Sequence, residues 1–600
     1  MNKFGFCILS FALFFNSLNT EAQQRSTPVA PVVTEESNVF YHTVEPGQTV
    51  YAIATMYGVT VEDIYRLNPE SEAGIRSGAK LVIPQKKETA AATNDAEVSY
   101  RYHTIAPKET LYSLSLKYEV PAEEIIRANP GLSVQTFSFG KTIRIPDIPS
   151  EGKIVERVKT VTRDTKYKVK KNDTFYSIER RFDISKEELL RRNPSLKNGL
   201  KADATIYIPE KIEVVVATTT EAPQEYEVNA LLHSRRPVQR VNVVKTALLL
   251  PFMANEPLNP NSLRFLEYYE GYLLAIDSLK KKGYSVDLHV YDTGNGTAKI
   301  REILKKPEMK EMNLIVGAVQ NDQIGLIADF ANKHRIKYVI PFASKNDEVL
   351  GNPAVFQINT PHSYLYAKAS HAVSRLFAGK HIVLLTGLPG EEEKAEFVKA
   401  LKTELNSRQI PFKEYAYTGQ FATAIETQLS KEQGNVIIPA SGSAAALTKV
   451  LAPLRQIAET KPEYGITLFG YPEWQTYTKD HLEDFYALDT YIYSNFYADN
   501  LSPEVKRFYQ DYKTWYSKSP VNTYPKYGML GFDTGLFFTD AIYRYGENFE
   551  TSLSEIDYPG LQTGFVFDRV NNWGGFINTN LFIVHYNNDF TVSRTAWERL

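Results

Sequence analysis

The feature that most constrains this chain is one spacing that occurs three times. A threonine precedes an asparagine by 19 residues at Thr49 and Asn68, at Thr110 and Asn129, and at Thr174 and Asn193. Proline follows each asparagine, and each unit closes on an apolar run ending in Pro84, Pro146 or Pro209. Self-similarity of this kind marks repeated supersecondary units. Each unit reads strand, helix, helix, strand. The opening segment alternates apolar and polar residues. The threonine hydroxyl can accept from free amides of a first helical turn, so it is placed as an N-cap. In the first unit Val50, Ile53, Ala54 and Tyr57 follow at helical spacing, and a second helix begins near Val61 with Ile64 and Leu67 inward. Asn-Pro stops that helix, because proline disfavours a helical residue before it and lacks an amide hydrogen. The closing run pairs with the opening one. Segments 85–101 and 147–166 are polar and are expected to be linkers that let the units move independently. Segment 210–240, with Thr218, Thr219, Thr220 and Ala222-Pro223, is expected to be a hinge to the rest of the chain.

The first unit carries His42-Thr43-Val44, Gly47-Gln48-Thr49-Val50, Tyr57-Gly58-Val59 and Asn68-Pro69. The second carries His103-Thr104-Ile105, Lys108-Glu109-Thr110-Leu111, Tyr118-Glu119-Val120 and Asn129-Pro130. The third carries Tyr167-Lys168-Val169, Asn172-Asp173-Thr174-Phe175, Phe182-Asp183-Ile184 and Asn193-Pro194. Over residues 42–84, 103–146 and 167–209 this pattern resembles the LysM domain, a small α+β (βααβ) module. The resemblance implies binding of N-acetylglucosamine-containing glycans, chiefly peptidoglycan and chitin, in a shallow groove between two loops, largely through backbone groups. The implied glycan-binding residues are Gly47, Gln48, Thr49, Val50, Asn68 and Pro69 in the first unit. They are Lys108, Glu109, Thr110, Leu111, Asn129 and Pro130 in the second, and Asn172, Asp173, Thr174, Phe175, Asn193 and Pro194 in the third. The family glycine stands only at Gly47. Lys108 replaces it in the second unit, and lysine tolerates a left-handed backbone less well than Asn172 does, so the second unit ranks as the weakest binder. Three linked grooves can raise avidity roughly 10²–10⁴-fold over one.

Residues 241–600 alternate apolar strands (near 246–252, 286–291, 314–317, 338–341, 381–385, 435–439 and 466–470) with amphipathic helices such as 266–279 and 324–333. That alternation predicts parallel sheets built of βαβ units, and the length predicts two lobes. Glu270-Gly271-Tyr272, Tyr291-Asp292-Thr293, the loop of residues 317–321, Pro341-Phe342-Ala343-Ser344, Val355-Phe356-Gln357 and the run 564–568 together resemble the type I periplasmic solute-binding fold of the branched-chain amino-acid-binding kind. The resemblance implies a two-lobed α/β domain with a ligand cleft at strand carboxyl ends, where Asn321, Ala343 and Ser344 are the matching positions. Gln357 stands where that family often has arginine, and residues 386–393 lack its tyrosine-glycine pair, which argues against an amino-acid ligand. The expected architecture is therefore multidomain: three LysM modules, a linker at 210–240 and a periplasmic-binding-protein-like domain over 241–600.

At the N-terminus, Lys3, an apolar run over residues 4–15 and Thr20-Glu21-Ala22 read as a cleavable secretory signal covering residues 1–22. The apolar run is too short to span a bilayer. Cys7 is the one cysteine, so the mature chain is expected to have no thiol, disulfide or lipid anchor and to reside in the periplasm or on the cell wall. A net charge of −2 gives no global attraction to nucleic acid. The ten histidines form no H-x-H or H-E-x-x-H, and Ser441-Gly442-Ser443 lacks the G-x-S-x-G elbow, so no catalytic residue, metal or cofactor is assigned. The expected partners are peptidoglycan and, at the large domain, a small ligand or an envelope protein. The alternatives are a regulator or scaffold for wall synthesis or another envelope machine, and a peptidoglycan hydrolase.

Overall fold

A computed structural model describes residues 39–600 except 86–87, 92–96, 149–154, 183, 219–223, 234–239 and 258. The expected signal segment lies outside the described residues. Each repeat folds as its spacing predicts. In the first, strand Val39–Thr43 pairs antiparallel with Lys80–Pro84 around helices Val50–Met56 and Val61–Leu67. Thr49 accepts from the Ala52 amide, Thr110 from Ser113 and Thr174 from Ser177, so all three threonines are N-caps. The asparagines do more than stop a helix. Asn193 Nδ2 donates to the carbonyls of Leu189 (3.0 Å) and Tyr207 (2.7 Å), and its Oδ1 accepts from the Tyr207 amide (2.6 Å). Asn68 and Asn129 make the same three bonds, to Ile64 and Val82 and to Ile125 and Arg144. Each buried carboxamide thus ties the second helix to the closing strand, where an apolar side chain would leave backbone groups unpaired.

Described residues of the segments expected as linkers take regular structure instead. Val155–Lys168 pairs with Thr205–Thr218 along a continuous two-stranded ribbon, which extends the third repeat's own sheet outward toward Val155 and Thr218. Glu88–Ala91 pairs with Glu97–Thr104. Within the expected hinge, Glu225–Ala230 is helical and packs on the second repeat, with Val228, Leu231 and Leu232 joining its core. The many β-branched residues in 155–168 and 205–218 favour extended pairing over a coil.

Two seven-stranded mixed sheets make the large domain. The first runs Phe567–Arg569, Phe576–Asn578, Val355–Gln357, Lys337–Ile340, Leu314–Gly317, Val244–Leu250, Val286–Asp292. The second runs Phe412–Ala416, His381–Thr386, Asn435–Pro439, Ile466–Gly470, Thr490–Ser494, Phe582–Tyr586, Val592–Ala596. In both, the first five strands of the lobe lie in the order second, first, third, fourth, fifth and are parallel, the doubly wound arrangement. The chain crosses between the sheets after Gln357, after Ser494 and after Asn578. This is the two-lobed α/β architecture expected of residues 241–600.

The first two repeats are packed together and against the first lobe. Thr104 and Thr142 hydroxyls donate to the Tyr41 carbonyl, Thr43 Oγ1 donates to the Gly140 carbonyl, and Lys141 pairs with Glu45. Trp573, on the loop of the Phe567–Arg569/Phe576–Asn578 hairpin, inserts between them. Its ring lies 5.9 Å from Tyr57 and 5.4 Å from Tyr102, and the Arg144 guanidinium sits 4.8 Å from its centre. Asn572 fixes both edges: its carbonyl accepts from Gly131 N (2.8 Å) and its Nδ2 donates to the Thr142 carbonyl (3.1 Å). Replacing Trp573 by alanine is expected to cost about 3–5 kcal/mol in denaturant unfolding and, in small-angle scattering, to enlarge the particle as the repeats detach.

Candidate functional site

Most side chains of the residues implied as glycan ligands are already used by the scaffold. Gln48, Glu109 and Asp173 occupy equivalent positions and do one job. Each accepts the amide three residues earlier, from Glu45 (2.9 Å), Ala106 (2.8 Å) and Lys170 (2.8 Å), which closes the first groove loop. Each is also held by the residue that opens its repeat. His42 Nε2 donates to Gln48 Oε1 (2.7 Å), a group that can only accept, so His42 Nδ1 is left to accept from the Tyr57 hydroxyl (2.7 Å). His103 repeats this between Glu109 (2.6 Å) and Tyr118 (2.9 Å), and Tyr167 donates to Asp173 (2.8 Å). Burial holds the His42 imidazole below its usual range, and does the same to His103 against the pull of Glu109. Burial pushes the Glu109 carboxyl up, but the Ala106 amide and His103 outweigh it and the net shift is downward. The Lys170 amide and Tyr167 hydroxyl hold the Asp173 carboxyl low.

Val50, Leu111, Asn68, Asn129 and Asn193 are buried, so a glycan in these grooves would meet backbone and the exposed neighbours rather than these side chains. Lys108 does take the left-handed conformation (φ 68°) that Gly47 (φ 82°) takes without penalty, a cost of about 1–2 kcal/mol for a residue with a Cβ. Sequence reasoning passed over one position: the residue two after each threonine is tyrosine in all three repeats, Tyr51, Tyr112 and Tyr176. The shared identity at a shared offset was the signal that could have found it.

In the large domain, the strand order puts each lobe's topological switch point between its first and third strands, and the crevice outside those carboxyl ends is where open α/β sheets take ligands. In the first lobe this is the loops after Leu250 and Gly317, where Met253 (φ 53°) and Ala318 (φ 55°) are held left-handed. Asn321, the first residue of helix Asn321–His334, lies here, and its Oδ1 accepts from Asn346 Nδ2 (3.3 Å). That bond ties it to the next loop, which carries Ala343 and Ser344. Gln357 braces that loop, donating to the Ala343 (2.9 Å) and Ser344 (3.1 Å) carbonyls. In the second lobe the corresponding loops are closed by the chain itself. Ser441 and Ser443 hydroxyls both donate to the Pro389 carbonyl (2.5 and 2.8 Å). The buried Lys394 pairs with Glu473 (2.6 Å) against Gly442, where a methyl group would lie 2.0 Å from the Glu473 carboxylate. Trp474 Nε1 donates to the Gly442 carbonyl (3.1 Å). His362, just past the first crossing, feels both Lys394 and Glu473, and burial holds it below its usual range. A cavity of about 170 Å³ lies elsewhere, in the seam between the first two repeats and residues 569–573. No helix among the described residues is long and apolar enough to cross a membrane.

The geometry of the repeats and the comparisons agree. Residues 42–84, 103–146 and 167–209 match the profile of the LysM domain, so the N-terminal part of the chain is three LysM repeats. YdhD of Bacillus subtilis is 34% identical over 110 residues, 18% of this chain and 23% of that protein. The autolysin of Enterococcus faecalis is 24% identical over 179 residues, 29% of this chain and 23% of that protein. The N-acetylmuramoyl-L-alanine amidase sle1 of Staphylococcus epidermidis is 22% identical over 152 residues, 25% of this chain and 45% of that protein. This chain thus spans about a quarter of the length of the first two relatives. Among solved structures, an ABC transporter substrate-binding protein of Desulfitobacterium hafniense in complex with Leu is 13% identical, with a TM-score of 0.37 over 59% of this chain and 100% of that one. The leucine-binding protein LivK of Thermotoga maritima is 16% identical, with a TM-score of 0.34 over 59% and 98%.

The two buried histidines predict a pH dependence that the third repeat lacks. A folded-state pKa below the unfolded value near 6.5 means the unfolded chain takes up more protons as pH falls, so stability is retained above about pH 6.5 and lost below it. Hydrogen exchange, corrected for intrinsic rates, is expected to accelerate between pH 7.5 and 5.5 at residues 42–59 and 103–120. It should not accelerate at 167–184, where Tyr167 replaces the histidine.

Proposed function

We propose that this chain is a non-catalytic, peptidoglycan-binding protein of the cell envelope, exported and held to the wall by its LysM repeats, whose two-lobed domain receives a small ligand or a protein partner. The observation that carries the reading is the threefold LysM match on modules whose loops fold intact. The hydrolase names among the relatives belong to proteins of which this chain spans 23–45%, and they do not transfer to the large domain. The self-closed second-lobe loops favour, as a second reading, a protein partner and a regulatory or scaffolding role, because the Lys394–Glu473 pair and the two serines already satisfy the groups a small polar ligand would use there.

The full chain is expected to pellet with purified peptidoglycan, to be released by soluble N-acetylglucosamine oligomers, and to leave the polymer undigested. Failure to pellet, or solubilisation of the wall, defeats the reading. Thermal-shift screening with amino acids and wall fragments separates the two uses of the cleft. A true ligand at 100 times its Kd stabilises by about 2.7 kcal/mol, whereas a domain reserved for a protein partner shows no shift.

A further inference from the structure

The three repeats share a sequence pattern but not a surface. In the first, both groove loops face the same pair of packed helices in the second lobe, His362–Leu376 and Ala395–Ser407. A methyl group at Gly47, on the first loop, would lie 2.7 Å from Tyr364 Cα. One at Gly74, on the second loop, would lie 2.1 Å from the Lys399 side chain. Tyr51, beside the first loop, donates its hydroxyl to Asp347 of the first lobe (2.9 Å). The chain's own large domain thus lies against both loops of this groove, at Gly47 and at Gly74.

The second repeat is closed differently. Segment 224–233 lies on it, and Val228, Leu231 and Leu232 join the cluster that holds Leu111 and Tyr112 from one loop and Leu132 and Phe137 from the other. The Asn229 carboxamide oxygen accepts the Tyr112 amide (3.3 Å). A carboxamide is the same chemical group as the acetamido arm of N-acetylglucosamine, so an internal side chain holds an amide that such a sugar could use. From the other side, the Gly131 amide is bonded to the Asn572 carbonyl.

Among the described residues, the third repeat has neither cover. Gly199, which corresponds to Gly74, meets no described atom within 4 Å. Asn172 and Thr174 are exposed, and among the described residues the core of this module is built from its own side chains. Tyr176 is 69% exposed beside the open loop; its counterpart Tyr51 is 60% exposed but bonded to Asp347, and Tyr112 is half-buried. An amphipathic ring standing free at the edge of an open groove suits the apolar face and hydroxyl rim of a sugar.

We propose that the chain takes glycan strands through its third repeat alone, with Tyr176 stacking on a sugar ring, and that the first and second repeats serve as intramolecular docking modules. This rests on the peptidoglycan-binding reading above and assigns it to one groove. The third repeat sits on the long ribbon of Val155–Lys168 and Thr205–Thr218, which carries the open groove on an arm of its own. The avidity of three grooves is then not available to a single molecule.

The test uses the full chain with tetra-N-acetylglucosamine as probe in hydrogen exchange, and with purified peptidoglycan in pelleting. Protection on adding the probe is expected at residues 172–177 and 194–200 and not at 47–51 or 108–112. Tyr176→Ala, at an exposed position that leaves the fold intact, is expected to weaken pelleting by about tenfold or more. Protection gained at 47–51 or 108–112, or a Tyr176→Ala chain that pellets as tightly as the parent, overturns the assignment while leaving wall binding standing. A parent chain that neither pellets nor gains protection anywhere overturns both, and so distinguishes failure of the underlying reading.

Discussion

The indole of Trp573 joins the first two repeats to the large domain. LysM modules are small, and a module with a core of a few side chains is marginal alone. Here two of them share a core with a lobe of the large domain. Tyr57 of the first repeat and Tyr102 of the strand opening the second meet edge to face (4.8 Å), with Trp573 packed on both and the Arg144 guanidinium closing the stack. Phe40, Ile53, Ile64 and Ile83 of the first repeat belong to one contiguous apolar cluster with Ile315, Ile324 and Ile340 of the lobe. The boundary that looks like a domain junction in sequence is, physically, the interior of one body.

That seam has a geometric consequence. The first repeat is held to the second by its strand Val39–Thr43 and to the first lobe by its helix Val50–Met56, and its groove loops lie against the second lobe at Tyr364 and Lys399. A module thus contacts both lobes of a domain whose sheets are joined by three crossings. Any change in the angle between lobes would have to slide past a repeat that is anchored by Trp573 on one side and pressed on two helices on the other.

The LysM loops also show how a binding motif can be mostly scaffold. The position after Gly47, Lys108 and Asn172 is Gln, Glu or Asp, three residues alike only in carrying a side-chain oxygen acceptor. That is what the structure asks of them: one bond to the amide three residues back and one to the opening strand. The threonines cap, and the asparagines pin helix to strand. The motif specifies a backbone shape, and the exposed residues around it set what that shape can bind.

The sequence determined the units themselves. The 19-residue offset, the caps at Thr49, Thr110 and Thr174 and the alternation of strands and helices after residue 241 depend on interactions within about 20 residues, and these local rules were enough to read three βααβ modules and parallel sheets of βαβ units in two lobes. Asn321, Ala343 and Ser344 came instead from the resemblance to the type I periplasmic solute-binding fold, as the positions that match its cleft. What only the tertiary structure decided is which surfaces are left over. Residues 155–168 and 205–218 became a ribbon only because partners far apart in sequence meet in register. Gly47 met Tyr364 across more than 300 residues, and Asn229 reached Tyr112 across more than 100. No periodicity encodes such contacts. They arise from burying apolar surface wherever folded units happen to fit, and they make three similar motifs into two internal joints and one open groove.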